Sequence, residues 1–374
     1  MRILIATVTA GAGHLQAAAA LDEAWRAYRP RDTVERVDVL DFVPKLYKKM
    51  YAEGYVKFVD HAPELYALVF KKTDNPSLMR KMTRLRRAWS KFTTPKFVSH
   101  LKRFKPDVVL CPHFLPLEIM GSLQAKGWKG DPPYTVSVVT DFEAHALWME
   151  PSVDLYCVAA EETKHRLVAR GAIADNVKVT GIPISAKFSS RPDAGSVRKH
   201  YGLRDDLLTL LVLGGGFGMG PVEEILCELD KFRRPAQVIV VAGRNEELRT
   251  KLASRDWRHP THVLGFVTNM HELMTVADLI ISKPGGLTTS EALAMGKPLF
   301  ILNPIPGQEA ANSDFLLEHA AAAKANRVED LPFRLDDLVK SKKLTSLAKA
   351  AKALGKPSAA RDICEEVCRR VKGC

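Results

Sequence analysis

Twice in this chain a short apolar run ends in glycines and gives way to a helical pattern, and no other feature limits the fold as strongly. Ile3–Thr9 leads into Gly11-Ala12-Gly13-His14, and Leu207–Leu213 leads into Gly214-Gly215-Gly216-Phe217-Gly218-Met219-Gly220. A buried strand followed by a glycine turn and a helix is the opening of a βαβ unit. Each opening is followed by further alternation of strand-like and helix-like segments. The first series is Thr33–Leu40, Val108–Cys111, Tyr134–Thr140, Leu155–Val158 and Val177–Gly181; the second is Gln237–Val241, His262–Leu264, Leu279–Ser282 and Pro298–Leu302. At roughly 150 residues per domain, 374 residues make about two. The expected class is therefore α/β, with two facing Rossmann-like domains and a cleft between them. The expected boundaries are 1–185 for the first domain, 186–205 for a polar linker, 206–343 for the second domain, and 344–374 for helices that pack back toward the first.

Composition removes several classes. Hydrophobic residues are 46 % and charged residues 26 % of the chain, which is globular rather than disordered. No apolar run reaches the roughly 18–20 residues that cross a bilayer, and Met1–Val8 reads as a first strand rather than a secretory signal. The six cysteines (Cys111, Cys157, Cys227, Cys364, Cys368, Cys374) form no C-x-x-C pair, so reduced cytosolic thiols are expected, with Cys364 and Cys368 on one helix face.

Charge is placed unevenly. Residues 42–105 hold sixteen Lys/Arg against four Asp/Glu, and the other 310 residues balance at 39 of each, so this stretch carries the whole net charge of +12. It also holds eleven of the 28 aromatics. Two parts have helical period: Val43, Leu46, Tyr47, Met50, Tyr51, Tyr55, Phe58 and Val59 beside Lys48 and Lys49, then Leu78, Met82, Leu85, Trp89 and Phe92 beside Arg84, Arg86 and Arg87. A basic helix with an aromatic face suits an anionic membrane surface. The same pattern also suits apolar faces packed on the protein with solvated cations. Nucleic acid is not the expected partner, because no recognition motif accompanies the charge.

Glycines at a strand end let backbone N–H groups approach a phosphate, and the helix that follows adds a positive dipole. Neither cluster matches G-x-G-x-x-G, and Val241 is followed by Ala242-Gly243-Arg244-Asn245 with no acidic ribose partner, which argues against NAD. Ser282-Lys283-Pro284-Gly285-Gly286-Leu287-Thr288-Thr289-Ser290-Glu291 also joins an apolar strand to a helix. Two readings fit it. Gly285, Gly286 and Thr288 lie over an anion with Glu291 on a ribose, or Thr288 caps the helix and Glu291 neutralises its dipole. After the next strand, Gln308 and Glu309 set an amide beside a carboxylate, a pair suited to sugar hydroxyls, and Asn312 follows as the helix begins. His14 stands after Gly11 and Gly13, either as a structural histidine or as a general base. Asp141 and His145, at another strand end, fit equally an orienting role toward His14 or an acceptor hydroxyl, or a capped turn.

Together these segments resemble the monogalactosyldiacylglycerol synthase and processive diacylglycerol glucosyltransferase group of family 28 glycosyltransferases. The carriers are Thr9-Ala10-Gly11-Ala12-Gly13-His14, Val139-Thr140-Asp141-Phe142 with His145 and Trp148, Gly181-Ile182-Pro183, Gly214-Gly215-Gly216, Lys283-Pro284-Gly285-Gly286 with Glu291, and Pro306-Gly307-Gln308-Glu309 with Asn312. The resemblance implies a GT-B fold and inverting transfer of a hexose from a UDP-sugar to the hydroxyl of diacylglycerol. It implies that His14 deprotonates the acceptor, and Asp141 is the second expected catalytic residue. Gly13, Gly214, Gly215, Gly216, Gly285, Gly286 and Thr288 would line the UDP-sugar site, with the diphosphate on Gly214–Gly216 and Thr288. The ribose would lie on Glu291 and the hexose on Gln308 and Glu309, with Asn312 nearby, and the backbone of Phe266 and Val267 would read the uracil. It implies no cofactor beyond the UDP-hexose donor and no catalytic metal. The expected partners are the UDP-sugar, diacylglycerol and anionic membrane lipids. The expected place is the cytoplasmic face of the cell membrane, held peripherally by Lys48, Lys49, Arg84, Arg86, Arg87 and Trp89. The competing readings are an N-acetylglucosaminyltransferase on a polyprenyl-linked precursor, a UDP-sugar epimerase of the same fold, and a nucleotide- or nucleic-acid-binding module.

Overall fold

The computed structural model describes residues 1–9, 11–45, 47–51, 54, 62–75, 78, 94–128, 130–215 and 220–374, with residue 63 described in its backbone alone. The chain divides into two compact units, one of residues 1–186, 306–308 and 358–374, the other of 187–305 and 309–357.

The first unit is built on six parallel strands: β1 (Arg2–Thr7), β2 (Thr33–Asp38), β3 (Val108–Cys111), β4 (Tyr134–Val138), β5 (Leu155–Val158) and β6 (Val177–Val179). Their spatial order is β2-β1-β3-β4-β5-β6. Helices α1 (Ala12–Tyr28), α2 (Pro63–Thr73), α3 (Pro95–Phe104), α4 (Phe114–Ala125) and α5 (Glu161–Ala169) connect or flank them. Side chains alternate across the pleat, so Ile3 and Ile5 join Leu21 and Trp25 of α1 in one layer. Leu4 and Ala6 join Leu101 of α3 and Leu117 of α4 in the other. Burial on both faces explains why β1, β3 and β5 read as continuous apolar runs rather than alternating ones.

The second unit repeats the plan with β7 (Leu208–Leu213), β8 (Ala236–Val241), β9 (Thr261–Leu264), β10 (Leu279–Ser282), β11 (Leu299–Ile301) and β12 (Ala322–Lys324), all parallel, in the order β12-β11-β10-β7-β8-β9. Its helices are α6 (Ala194–Tyr201), α7 (Val222–Leu229), α8 (Glu246–Ala253), α9 (Met270–Val276), α10 (Gly286–Ala294), α11 (Gln308–Glu318), α12 (Leu331–Lys340) and α13 (Lys343–Leu354). Strand β12 is absent from the sequence reading because Ala322-Ala323-Lys324 lacks the β-branched and aromatic residues that signal a strand. It forms because β11 offers it a ladder. Several strands stop earlier than their apolar runs suggest. Residues 39–42, for example, turn into a short 3₁₀ segment capped by Asp38, whose carboxylate accepts from the Leu40 N–H.

The tail divides between the units. Helix α13 packs on α10 in the second. The last helix, α14 (Ala359–Arg370), belongs to the first, where Ile363, Cys364 and Val367 enter the layer of Leu21 and Trp25. Cys368 of this helix and Cys374 beyond it form a disulfide with Cα atoms 4.9 Å apart, which corrects the expectation of six reduced thiols. The chain leaving α14 turns back through Gly373 at φ 89°, and that return brings together two cysteines with no spacing motif.

Of the basic stretch, residues 47–51 are helical, with Lys49 exposed and Lys48 bonded to Asp41 at 2.5 Å. Arg84, Arg86, Arg87 and Trp89 lie outside the described residues.

Candidate functional site

In both sheets the strand order reverses beside the first strand. Strand β1 has β2 on one side and β3 on the other, and β7 has β8 on one side and β10 on the other. In a parallel sheet the helices leave such a point in opposite directions and open a crevice at the carboxyl ends of the two strands, where ligands bind. All of the residues singled out at strand ends belong to these two edges.

At the first crevice the turn after β1 passes through Gly11 at φ 90°, a conformation that side chains other than glycine rarely adopt, and α1 begins at Ala12 with no side-chain cap. His14 is the third residue of that helix. Its Nδ1 lies 2.9 Å from the carbonyl oxygen of Pro112, just past β3, and 3.1 Å from Thr140 Oγ1, past β4. A carbonyl only accepts, so Nδ1 carries the hydrogen and the lone pair is on Nε2. Burial lowers the imidazole to about 4, against a partial opposing effect of the Pro112 bond. His14 is therefore neutral at pH 7.

His113 meets His14 edge to face at 4.6 Å and stacks on Phe114. Its Nδ1 accepts from the Leu115 N–H and caps α4, and burial followed by the His14 neighbour holds it well below the ordinary histidine value. Neither Asp141 nor His145 is among the groups bonded to His14. His145 caps a 3₁₀ turn through Leu147 N and lies 3.1 Å from the Phe70 carbonyl through Nε2, a structural bond at the end of α2. Pro112 and His113 are residues that sequence reasoning missed, and Thr140, noted there within Val139–Phe142, had been given no role beside His14. Their signal was the crossover order, since whatever follows β3 must face whatever follows β1.

At the second crevice the turn after β7 is tied to β8 by Gly214 N–H donating to Val241 O, and Gly215 follows at φ 73°. Gly216 lies outside the described residues. After β10, Gly285 stands at the N-cap of α10 and offers no side chain, so Gly286 is the first helical residue and Thr288 the third. The reading of Thr288 as the cap is thereby corrected. Glu291 sits in the second turn, too deep to serve as a first-turn dipole partner. Its carboxylate has no hydrogen bond or ion pair with any described residue, and burial raises it to about 8.

The loop after β11 comes alongside. A methyl group placed on Gly285 would lie 3.9 Å from Glu309 Oε1, while Glu309 Oε2 accepts from Ile305 N–H at 2.7 Å. Asn312, expected near the donor, is wholly buried, and its Nδ2 donates to the Pro284 carbonyl at 3.0 Å, where it braces the turn between β10 and α10. Gln308 opens α11. Past β9, Phe266 is half exposed with the Arg244 guanidinium 5.0 Å over its ring, and Val267 follows. Along one edge of the sheet, then, the order is amide and acid after β11, acid after β10, glycines after β7, guanidinium after β8 and aromatic after β9. An array that passes from mixed hydrogen-bonding groups through bare backbone to a flat apolar ring suits an elongated ligand with a polar end, an anionic middle and a planar end.

Known proteins resemble this chain in sequence and fold. Residues 14–184 match the family model for monogalactosyldiacylglycerol (MGDG) synthase, and residues 209–367 match that for the glycosyltransferase family 28 C-terminal domain. The chain is 30 % identical over 372 residues to a processive diacylglycerol beta-glucosyltransferase of Bacillus pumilus, covering 98 % of this chain and 94 % of that one. Among solved structures it is similar in fold to Acinetobacter baumannii MurG (TM-score 0.59, 16 % identity, 98 % of this chain and 99 % of that one). It is also similar to the UDP-GlcNAc 2-epimerase of Neisseria meningitidis (TM-score 0.63, 14 % identity, 99 % and 100 %). The α/β class and the GT-B type expected from the sequence are both met.

Proposed function

The chain belongs to the diacylglycerol glycosyltransferases of family 28, and from that membership we propose that it moves a hexose from a UDP-sugar to the hydroxyl of diacylglycerol with inversion at the anomeric carbon. The observation that carries the proposal is the state of His14, a neutral imidazole whose Nδ1 is held by Pro112 and Thr140 and whose Nε2 keeps its lone pair. In a single displacement the acceptor oxygen bonds to the anomeric carbon and its proton passes to Nε2. The bond to the β-phosphate oxygen breaks, and its electron pair leaves with UDP. Glu291 receives the ribose hydroxyls, Glu309 and Gln308 the hexose, and the N–H groups of the Gly214 and Gly285 turns the diphosphate. No helix among the described residues is long and apolar enough to cross a membrane.

The test is direct. The protein is incubated with diacylglycerol micelles and, separately, UDP-glucose, UDP-galactose, UDP-glucuronate and UDP-N-acetylglucosamine, and the lipids are weighed by mass spectrometry. The expected result is a diacylglycerol gain of one or more hexose masses from one donor, with UDP released. Release of UDP without any glycolipid, or N-acetylhexosamine as the sole transferred sugar, would overturn the proposal.

A diacylglycerol acceptor places the enzyme at a membrane surface, peripherally and on the cytoplasmic side in this reading. Helix α2 supports it. Tyr66 is buried and Phe70 lies against His145, while Leu65, Leu68 and Val69 are 53 %, 51 % and 40 % exposed. The helix end is held by Arg170, which donates to both oxygens of Asp74 at 2.8 and 2.7 Å. A firmly held helix that leaves an i, i+3, i+4 apolar row in water, with Lys71 and Lys72 after it, has the features of an interfacial helix. Replacing Leu65, Leu68 and Val69 with serine is expected to weaken binding to phosphatidylglycerol vesicles about ten- to a hundredfold, the scale of losing two or three half-buried aliphatic side chains. Co-sedimentation reads it. Lys49→Glu is expected to act more strongly than Lys48→Glu, because Lys48 already has Asp41 as its partner.

A further inference from the structure

The second crevice holds a charged group to which neither the sequence reading nor the function above gives a role. Lys283 follows β10 directly and opens the turn into α10, beside the reversal of strand order. Its side chain is laid back across the end of the turn after β7. A methyl group placed on Gly220 would stand 3.5 Å from Lys283 Cε and 3.9 Å from Nζ. Gly220 itself is at φ 121°, a backbone conformation that favours glycine. The Lys283 carbonyl accepts from the Gly285 N–H at 3.0 Å, and its ammonium has no hydrogen bond or ion pair with any described residue. Other lysines of this unit have such partners: Lys297 donates to two carbonyls, and Lys231 and Lys251 pair with Glu228 and Glu223.

We infer that Lys283 is the cation that receives the donor's diphosphate. The inference rests on the UDP-sugar reading of this crevice and extends it. A nucleoside diphosphate brings at least two negative charges, and the departing UDP gains another as the glycosidic bond breaks. A helix N-terminus supplies only about half a unit of positive charge. An ammonium on a flexible stem supplies a full unit and follows the charge as it develops on the leaving oxygen. Such a group acts more on the diphosphate than on the uridine, and more on the transition state than on the bound donor.

The experiment is ligand titration of the whole chain with UDP, UMP and uridine, for wild type, Lys283→Met and Lys283→Arg, at two salt concentrations. The expected result is that Lys283→Met lowers UDP affinity roughly 10- to 100-fold, the range for one charge-assisted hydrogen bond. UMP should lose less, uridine should be unchanged, and the salt dependence of UDP binding should flatten. Lys283→Arg is expected to recover most of the UDP affinity because it keeps the charge. With the preferred donor, Lys283→Met should lower kcat further than UDP affinity. Unchanged UDP binding in Lys283→Met would overturn the inference, and so would an equal loss of UDP and uridine, which marks a structural lysine. Wild type that binds neither UDP nor uridine would instead overturn the nucleotide reading of the crevice, and the inference with it.

Discussion

Substituting asparagine for His14 is expected to lower turnover by roughly 10²- to 10⁴-fold, the usual contribution of a positioned general base, while UDP binding stays as in wild type. Asparagine is the informative choice because its side-chain amide can still donate to the Pro112 carbonyl that now accepts from Nδ1, so the turn after β1 keeps its anchor and only the Nε2 lone pair is lost. The wild-type profile carries a second signature. A histidine held at about 4 is unprotonated throughout the neutral range, so turnover with both substrates saturating should show no loss on acidification from pH 8 to pH 6. An acid limb near the ordinary histidine value of 6.5, or full activity in the asparagine variant, would remove His14 from the reaction. The lowered value also affects stability. The unfolded chain takes up a proton near pH 6.5 that the folded protein refuses until about pH 4, so the folded state loses stability as the pH falls through that window.

For Glu291 the expected loss is in affinity. Glu291→Ala should weaken UDP binding by roughly 1–3 kcal/mol, the range for losing hydrogen bonds to a charged group. The pH dependence is more specific. With the free carboxyl at about 8, the group is mostly protonated at pH 7, and ribose hydroxyls donate better to the ionised form. UDP affinity should therefore rise from pH 6 to pH 8 and level off above, and Glu291→Gln should flatten the curve.

Stability moves the other way. The folded value lies above the ordinary 4.5, so between those limits the folded protein holds a proton that the unfolded chain has released. The contribution is complete below about 4.5 and is lost as the pH rises through 8. Glu291→Gln, which never ionises, should melt higher than wild type, and by more at pH 9 than at pH 5. Calorimetry at the two pH values checks it; an equal change at both would show that the carboxyl is not buried as described. An acid kept where it weakens the fold is a common mark of a binding site.

Much of the architecture was legible because parallel sheets covered on both faces leave dense apolar runs, and glycines punctuate them. The segments after β1, β7, β10 and β11 were found this way, since a turn that needs Gly11 or Gly285 leaves a visible trace in the composition. Strand β12 left none, because its existence depends on a neighbour's unpaired edge rather than on its own residues. The bonded pair Cys368 and Cys374 left none either, because a return of the chain, not a spacing rule, brings them together.

The roles of individual side chains divide along the same line. Residue types and their order along the chain are local facts, and they were enough to nominate a histidine at one strand end and an acid at another. What those groups can do depends on neighbours distant in sequence. Pro112 and Thr140 decide which nitrogen of His14 carries the proton, and burial decides that Glu291 holds one at neutral pH. The Pro284 carbonyl draws Asn312 away from solvent, and the fold lays the Lys283 side chain beside Gly220. Hydrogen bonding and desolvation act through space at a few ångströms, and only the folded chain determines which residues come that close.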